Sequence, residues 1–251
     1  MARRRVSYGK CFVCGERVAK NGMARHLEKC LPAHEPEAKR KERLFIIRAE
    51  GRYDPGYWLY LEMPARATLA DLDGFLRDIW LECCGHLSAF DIGNVRYELD
   101  TGMVDRMWVG LFGRSRRTLP MGETRLESVL QVGQTFYHEY DFGTPTHLKL
   151  EVVGEREGPY PRGNVRLLAR NYAPVYPCSQ CGAPAKWINV YEGELYCQEH
   201  AEESEDWDGA FLPLVNSPRA GACGYTGPEK RSLVFEETDP VLSDQEQQAG
   251  G

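Results

Sequence analysis

Apolar residues in the middle of the chain follow strand-like patterns. Two runs rich in apolar, β-branched and aromatic residues, Leu44–Ala49 and Tyr57–Met63, flank the turn signal Asp54-Pro55-Gly56 and predict a β-hairpin. The same kind of pattern predicts further strands at Phe90–Leu99, Met107–Phe112, Thr135–Tyr140, His147–Val153 and Val165–Arg170. A sheet of several strands is therefore expected between residues 44 and 170.

A helix is predicted directly after the hairpin. Thr68 and Asp71 have the spacing of a capping box. Apolar residues then recur at helical spacing, namely Leu69, Leu72, Phe75, Leu76, Ile79 and Trp80. Gly85 is a plausible C-terminal stop, and a second, shorter helix is predicted around Thr124-x-x-Glu127.

Two sets of cysteine and histidine residues flank the predicted sheet region, one before it and one after it. The first set is Cys11-x2-Cys14-x11-His26-x3-Cys30, and the second is Cys178-x2-Cys181-x15-Cys197-x2-His200. Each set supplies the four soft or borderline ligands that tetrahedral Zn²⁺ prefers. Because neither set leaves an open position for a catalytic water, the spacing predicts two structural zinc ions.

The two sets resemble different zinc modules. The first resembles a classical ββα finger in which cysteine replaces the second histidine, with Val18 and Met23 where such fingers place apolar core residues. The second has zinc-ribbon or treble-clef spacing, with a hairpin predicted between its two pairs. Cys223 remains an alternative to His200 as its fourth ligand.

Together these patterns predict an α+β fold, with a central mixed sheet and two or three helices flanked by two small zinc-binding modules. The expected organisation is a basic arm and finger (1–31), a charged linker (32–43), the central domain (44–175), the second zinc module with a Gly-rich segment (176–227), and an acidic, partly disordered tail (228–251).

Charge is divided unevenly along the chain. The net charge is −6 overall, yet residues 1–43 contain twelve Lys or Arg and five acidic residues. A basic head on an acidic body favours an anionic partner, and basic fingers often bind nucleic acid. The candidate contacts are Arg3, Arg4, Arg5, Lys20 and Arg25.

One stretch of the central region resembles a known family. Phe136–His147 contains Tyr140-Asp141-Phe142-Gly143 and is similar to the signature of the plasmid pRi ORF-three-like family, which is related to accessory proteins of insertion elements. The resemblance extends over roughly residues 44–170, and an Asn-Ser-Pro-Arg…Cys-Gly-Tyr segment, here Asn216–Tyr225, follows in one branch. It implies a compact α+β fold, no established activity and a link to mobile elements.

The sequence therefore favours a zinc-binding, non-enzymatic adaptor for nucleic acid, with DNA preferred over RNA by analogy with mobile elements. A protein–protein adaptor with structural zinc is the alternative. A hydrolase or nuclease using Asp141 and His147 is a second one, and with Cys223 these residues form a candidate functional cluster without an assigned catalytic residue. Cys83 and Cys84 are expected to pack rather than react.

The sequence also predicts the compartment. No secretory signal follows the N-terminal arginines, and no apolar run approaches the length of a membrane span. Since the cysteine spacing indicates metal binding rather than disulfides, a cytoplasmic protein without a membrane partner is expected.

Overall fold

A large mixed β-sheet organises the chain in a computed structural model. The structure describes residues 6–35, 37, 40–99, 118–159 and 162–241. The predicted strand Met107–Phe112 lies outside these residues.

The N-terminal part forms the predicted ββα unit. Strand β1 (Tyr8–Cys11) and strand β2 (Arg17–Ala19) form a hairpin, and helix α1 (Lys20–His34) follows directly. Residues 8–34 are called the finger unit below.

The central part contains most of the strands. Its elements are β3 (Lys41–Gly51), β4 (Trp58–Pro64), α2 (Leu69–Leu76) with a turn of π-helix (Arg77–Leu81), β5 (Ser88–Ile92), β6 (Val95–Glu98), β7 (Thr118–Pro120), a 3-10 turn (Leu126–Ser128), β8 (Thr135–Tyr140), β9 (Thr146–Pro159), a second 3-10 turn (Arg162–Asn164) and β10 (Arg166–Asn171). The predicted capping box is present, since Thr68 Oγ1 accepts from the Asp71 backbone N–H and Asp71 accepts from the Thr68 N–H.

The C-terminal part forms a small separate sheet. Its elements are β11 (Trp187–Asn189), β12 (Leu195–Tyr196), α3 (Gln198–Glu202), α4 (Trp207–Ala210), β13 (Phe211–Pro213) and a 3-10 turn (Arg231–Leu233). The sheet order is β12-β11-β13. Residues 177–213 are called the knuckle module below.

The large sheet includes the finger unit. Its order is β2-β1-β10-β4-β3-β9-β8-β5-β6-β7, with β1 antiparallel to β10 and β6 parallel to β7. Helix α1 extends to His34 and β3 begins at Lys41, so the predicted linker 32–43 overlaps the end of one element and the start of the next.

The two faces of the sheet are covered by different helices. The side chains of β4 point alternately to the two faces of the sheet. Leu59 and Leu61 belong to the core that α2 covers, whereas Trp58 and Tyr60 belong to a second core that α1 covers. Every residue of β4 is buried. A strand covered on both faces has a continuous apolar run, which explains the pattern at Tyr57–Met63.

The predicted single strand Phe90–Leu99 is wrong as one element. It forms the hairpin β5–β6, which turns at Gly93 with a φ of 59°. That left-handed conformation favours glycine. The sequence Ile92-Gly93-Asn94-Val95 therefore carried a turn signal within the apolar run.

Part of the predicted tail packs against the finger unit. Phe235 meets the ring of Phe12 edge-on at 5.3 Å between centroids. Asp239, only 7% exposed, pairs with Arg17 at 2.6 Å. Residues 228–241 are thus part of the fold, and residues 242–251 lie outside the described residues.

Candidate metal centres

The four predicted ligands of the finger unit lie together. Cys11 ends β1, Cys14 lies on the following turn, and His26 and Cys30 are one helical turn apart on α1. The distance from Cys14 Sγ to His26 Nε2 is 3.4 Å, and Cys11 Sγ lies 3.9 Å from Cys30 Sγ. These atoms can hold one metal ion.

The surroundings of this finger site suit a cation. Burial, together with hydrogen bonding and repulsion from Cys14 and Cys11, raises the pKa of Cys30 to about 12. A metal ion would reverse that preference because it stabilises thiolates. Glu16 Oε2 lies 3.5 Å from Nδ1 of His26, the ring nitrogen that faces away from the sulfurs. A carboxylate at that nitrogen orients metal-binding histidines in many proteins.

The second predicted set also lies together, and His200 rather than Cys223 completes it. Cys181 Sγ is 3.8 Å from Cys197 Sγ, and His200 Nδ1 is 3.2 Å from Cys197 Sγ and 3.7 Å from Cys178 Sγ. The predicted hairpin between the two pairs is β11–β12. This knuckle site can hold a second metal ion.

The knuckle favours an ionised thiol at Cys178. Burial opposes ionisation, but the backbone N–H groups of Cys197, Cys181 and Gln180 outweigh it and lower the pKa of Cys178 to about 6. Gly182 has a φ of 76°, which lets the chain turn tightly after the second cysteine. The turn thus presents both sulfurs toward one site.

A third group of the same composition forms between distant parts of the chain. It consists of Cys83, Cys84, His86 and Cys223, whose ligand atoms lie within 4.8 Å of one another. Cys84 and Cys223 are exposed, which corrects the expectation that Cys84 packs, whereas Cys83 is partly buried and packs against the central core. The sequence predicts two metal ions, whereas the described residues contain three groups able to hold one.

Sequence spacing did not indicate this third cluster. Cys223 lies 137 residues from His86 and 139 from Cys84. The pair Cys83-Cys84 with His86 two residues later was the local signal, but it provides only three ligands. The fourth depends on tertiary structure.

The segment that carries Cys223 is anchored in the core. The Asn216 side chain donates to the backbone of Asn171, at 3.1 Å, and accepts from its side chain, at 2.7 Å. Ser217 Oγ donates to Trp80 O at 2.7 Å. Arg219, with a fully buried side chain, donates to Asp141 Oδ2 at 2.7 Å and lies 3.4 Å from Cys83 Sγ.

Asp141 is held in a tight turn rather than presented to a substrate. It has a φ of 66°, and its Oδ1 accepts from the N–H groups of Gly143 and Thr144 at 3.0 and 3.2 Å. Burial opposes ionisation, but the hydrogen bonds from Arg219 and these N–H groups lower the pKa of Asp141. The carboxylate is therefore a structural acceptor.

His147 does not belong to the predicted cluster with Asp141 and Cys223. It alternates on β9 with buried Thr146 and Leu148, so its side chain points to the other face of the sheet, where its ring meets Tyr53 at 5.6 Å. The histidine between Asp141 and Cys223 is His86, with Nε2 3.4 Å from Asp141 Oδ2 and 3.2 Å from Cys223 Sγ.

Of the five predicted nucleic-acid contacts, Lys20 and Arg25 lie among the described residues. Arg3, Arg4 and Arg5 lie outside the described residues. Lys20 forms an ion pair with Glu50 at 2.6 Å and donates to Pro55 O at 2.7 Å. Arg25 is exposed on α1.

Comparisons with known proteins add little to this description. No family model and no curated protein matches the chain. A structural comparison aligns it with the crystal structure of a protein of unknown function from Methanosarcina mazei Go1, at 12% identity and a TM-score of 0.42, over 68% of this chain and 88% of that chain. The resemblance to the plasmid pRi ORF-three-like family stays a prediction. None of the described helices is long and apolar enough to cross a membrane.

Proposed function

We propose that this chain is a zinc-binding, non-enzymatic adaptor that binds nucleic acid through its N-terminal arm and the exposed face of α1. The observation that supports this most is the position of Ser7, which directly follows the arm and Val6. Ser7 O accepts from the Lys20 N–H at 2.9 Å, which places Ser7 beside the first turn of α1. Arg3–Arg5 precede Ser7 by two to four residues.

The exposed face of α1 continues this basic surface. Arg25 and Lys29 are both exposed and stand four residues apart, which is about one helical turn. The opposite face of α1, with Met23, Leu27 and Leu31, is buried against the sheet. The helix is thus held rigidly, with its cationic side chains directed outward.

The other basic residues of the finger unit contribute less to such a surface. Lys10 pairs with Glu237 at 3.0 Å, Arg17 with Asp239 at 2.6 Å and Lys20 with Glu50 at 2.6 Å. The proposed contact surface therefore reduces to Arg3, Arg4, Arg5, Arg25 and Lys29. The proposed contacts are to phosphates, which position a protein on nucleic acid but carry no sequence information.

The salt dependence of binding tests the proposal. If five cations neutralise five phosphates of a duplex, log K should fall with log salt concentration with a slope of about −4 to −5. The charge-reversal variant Arg25→Glu/Lys29→Glu should have a slope that is less negative by about 2. Its binding to all sequences should be weaker to the same extent. Fluorescence anisotropy with labelled single- and double-stranded DNA and RNA across a salt series measures both quantities.

The matched control reverses two exposed arginines outside the head, Arg125→Glu and Arg231→Glu, with the same change in net charge. This control variant should show the same slope of log K against log salt concentration as the unaltered chain. Deletion of residues 1–5 is a better truncation than removal of the whole head, because removal of α1 would expose Trp58 and Tyr60. Equal effects of the two charge reversals, or no binding by the intact chain, would favour the protein–protein adaptor.

A further inference from the structure

We propose that Cys83, Cys84, His86 and Cys223 form a third zinc site, which is solvent-accessible and holds residues 216–225 on the central sheet. This proposal does not depend on nucleic-acid binding. It assigns a ligand to a cluster that sequence spacing does not reveal.

The dimensions of the cluster fit a tetrahedral ion. With Zn–S bonds of about 2.3 Å and a Zn–N bond of about 2.0–2.1 Å, tetrahedral geometry places sulfurs about 3.8 Å apart and sulfur about 3.6 Å from nitrogen. Cys83 Sγ lies 3.7 Å from Cys84 Sγ, which lies 3.8 Å from Cys223 Sγ. His86 Nε2 is 3.0 and 3.2 Å from the sulfurs of Cys84 and Cys223, so a small outward shift of the ring completes the tetrahedron.

Cysteine use across the chain supports the same assignment. The nine cysteines divide into three groups of three, and each group includes one histidine. The sulfur separations in the third cluster match those of 3.9 and 3.8 Å in the finger site and the knuckle site. Since those two sets have the spacing of structural zinc sites, equal composition and equal dimensions point to the same ion.

The backbone around Cys223 is strained in a way that a metal bond would offset. Cys223 has a φ of 47°, between Gly221 at 81° and Gly224 at 69°. A left-handed conformation is unfavourable for a non-glycine residue, and such strain persists where other interactions hold it. Here the strained turn directs the Cys223 sulfur toward Cys84 and His86.

Buried groups around the cluster position its ligands. Arg219 Nη2 lies 3.4 Å from Cys83 Sγ, a distance suited to an N–H···S hydrogen bond to a thiolate. The ring of His86 meets Tyr140 edge-on at 5.7 Å between centroids. Arg219 and Tyr140 therefore contact the buried side of the site, whereas Cys84 and Cys223 face the solvent.

Exposure distinguishes this site from the finger site, where Cys11 and Cys30 are 0% and 6% exposed. A chelator can approach the third ion directly, so it should leave before the finger ion. The third ion would also join two parts of the chain. Gly221 packs so closely on Ile188 of the knuckle module that a Cβ there would lie 2.7 Å from the Ile188 side chain, while Cys223 binds with ligands of the central region.

Metal content of single-residue variants tests the site. The intact chain, purified in reductant without chelator, should contain three zinc ions, and Cys223→Ser and His86→Ala should each contain two. The matched controls Ala222→Ser and His147→Ala should retain three. Reconstitution with Co²⁺ should give tetrahedral thiolate–cobalt absorption that falls by about one third in Cys223→Ser, as expected if one of three such sites is lost.

A chelator experiment on the intact chain avoids any folding defect of a variant. The ion that leaves first should do so while the far-ultraviolet circular dichroism stays unchanged, and the fast phase of Cys223→Ser should contain one ion fewer, which separates the third ion from that of the knuckle site, where Cys181 is also exposed. The proposal is overturned if the intact chain and Cys223→Ser contain the same number of ions, or if both release the same number of ions in the fast phase. It is equally overturned if mass spectrometry of the reduced preparation finds a Cys84–Cys223 disulfide instead of a third ion.

Discussion

Replacement of Cys11 by serine should remove one zinc ion and unfold the finger unit. Structural zinc in finger peptides binds with an apparent free energy of about 10–16 kcal/mol at neutral pH, which is comparable to the total stability of a typical domain, about 5–15 kcal/mol. The apolar side chains that the unit itself buries against the sheet are few, with Met23, Leu27 and Leu31 the largest, so the ion supplies a large share of its folding free energy.

The effect should extend beyond the finger unit because β1 pairs with β10 and α1 covers one face of β4. Zinc analysis combined with hydrogen exchange measures it. Amides of residues 8–34 should lose protection, and those near Trp58 and Tyr60 should lose part of theirs. The matched variant Cys84→Ser should also lose one ion while the finger amides stay protected. Unchanged metal content in Cys11→Ser would refute the finger site.

Replacement of Arg219 by methionine should destabilise the central region by about 3–5 kcal/mol, the usual cost of breaking a buried ion pair. Methionine fills similar space without charge, so the Asp141 carboxylate, only 4% exposed, would lose its ionic partner. The Thr144 carbonyl and Thr146 hydroxyl would also lose their hydrogen bonds from Arg219 Nη1. Urea denaturation, with zinc content measured in parallel, gives the change in the free energy of unfolding.

A double-mutant cycle separates the ion pair from the loss of packing. Asp141→Asn keeps an acceptor for the N–H groups of Gly143 and Thr144 but removes the charge. The double variant Arg219→Met/Asp141→Asn should therefore be less destabilised than the sum of the single variants. A cost below about 1 kcal/mol for Arg219→Met would mean that the pair does not anchor the 216–225 segment.

Local patterns predicted much of the fold. The capping box at Thr68 and Asp71 is a contact three residues apart, so the sequence alone contains it. The same holds for the hairpin around Asp54-Pro55-Gly56, which is β3–β4, and for the knuckle at Cys178 and Cys181. Each of these depends on neighbours along the chain.

The missed features depend on contacts between distant residues. Docking of α1 on the sheet places Leu27 and Tyr60 in one buried cluster. Along the chain, only the unbroken apolar run at Tyr57–Met63 indicates that the second face is covered. The pairing of Arg17 with Asp239 spans 222 residues. His147 does not belong to the predicted cluster because strand alternation turns it away from Asp141, and the face on which it lies depends on the register of β9 with β8.

Native mass spectrometry of the intact, reduced chain tests the central claim most directly, namely that all nine cysteines belong to three metal sites of three cysteines and one histidine each. The account predicts a dominant species with three zinc ions and no disulfide. A dominant species with two ions would contradict it.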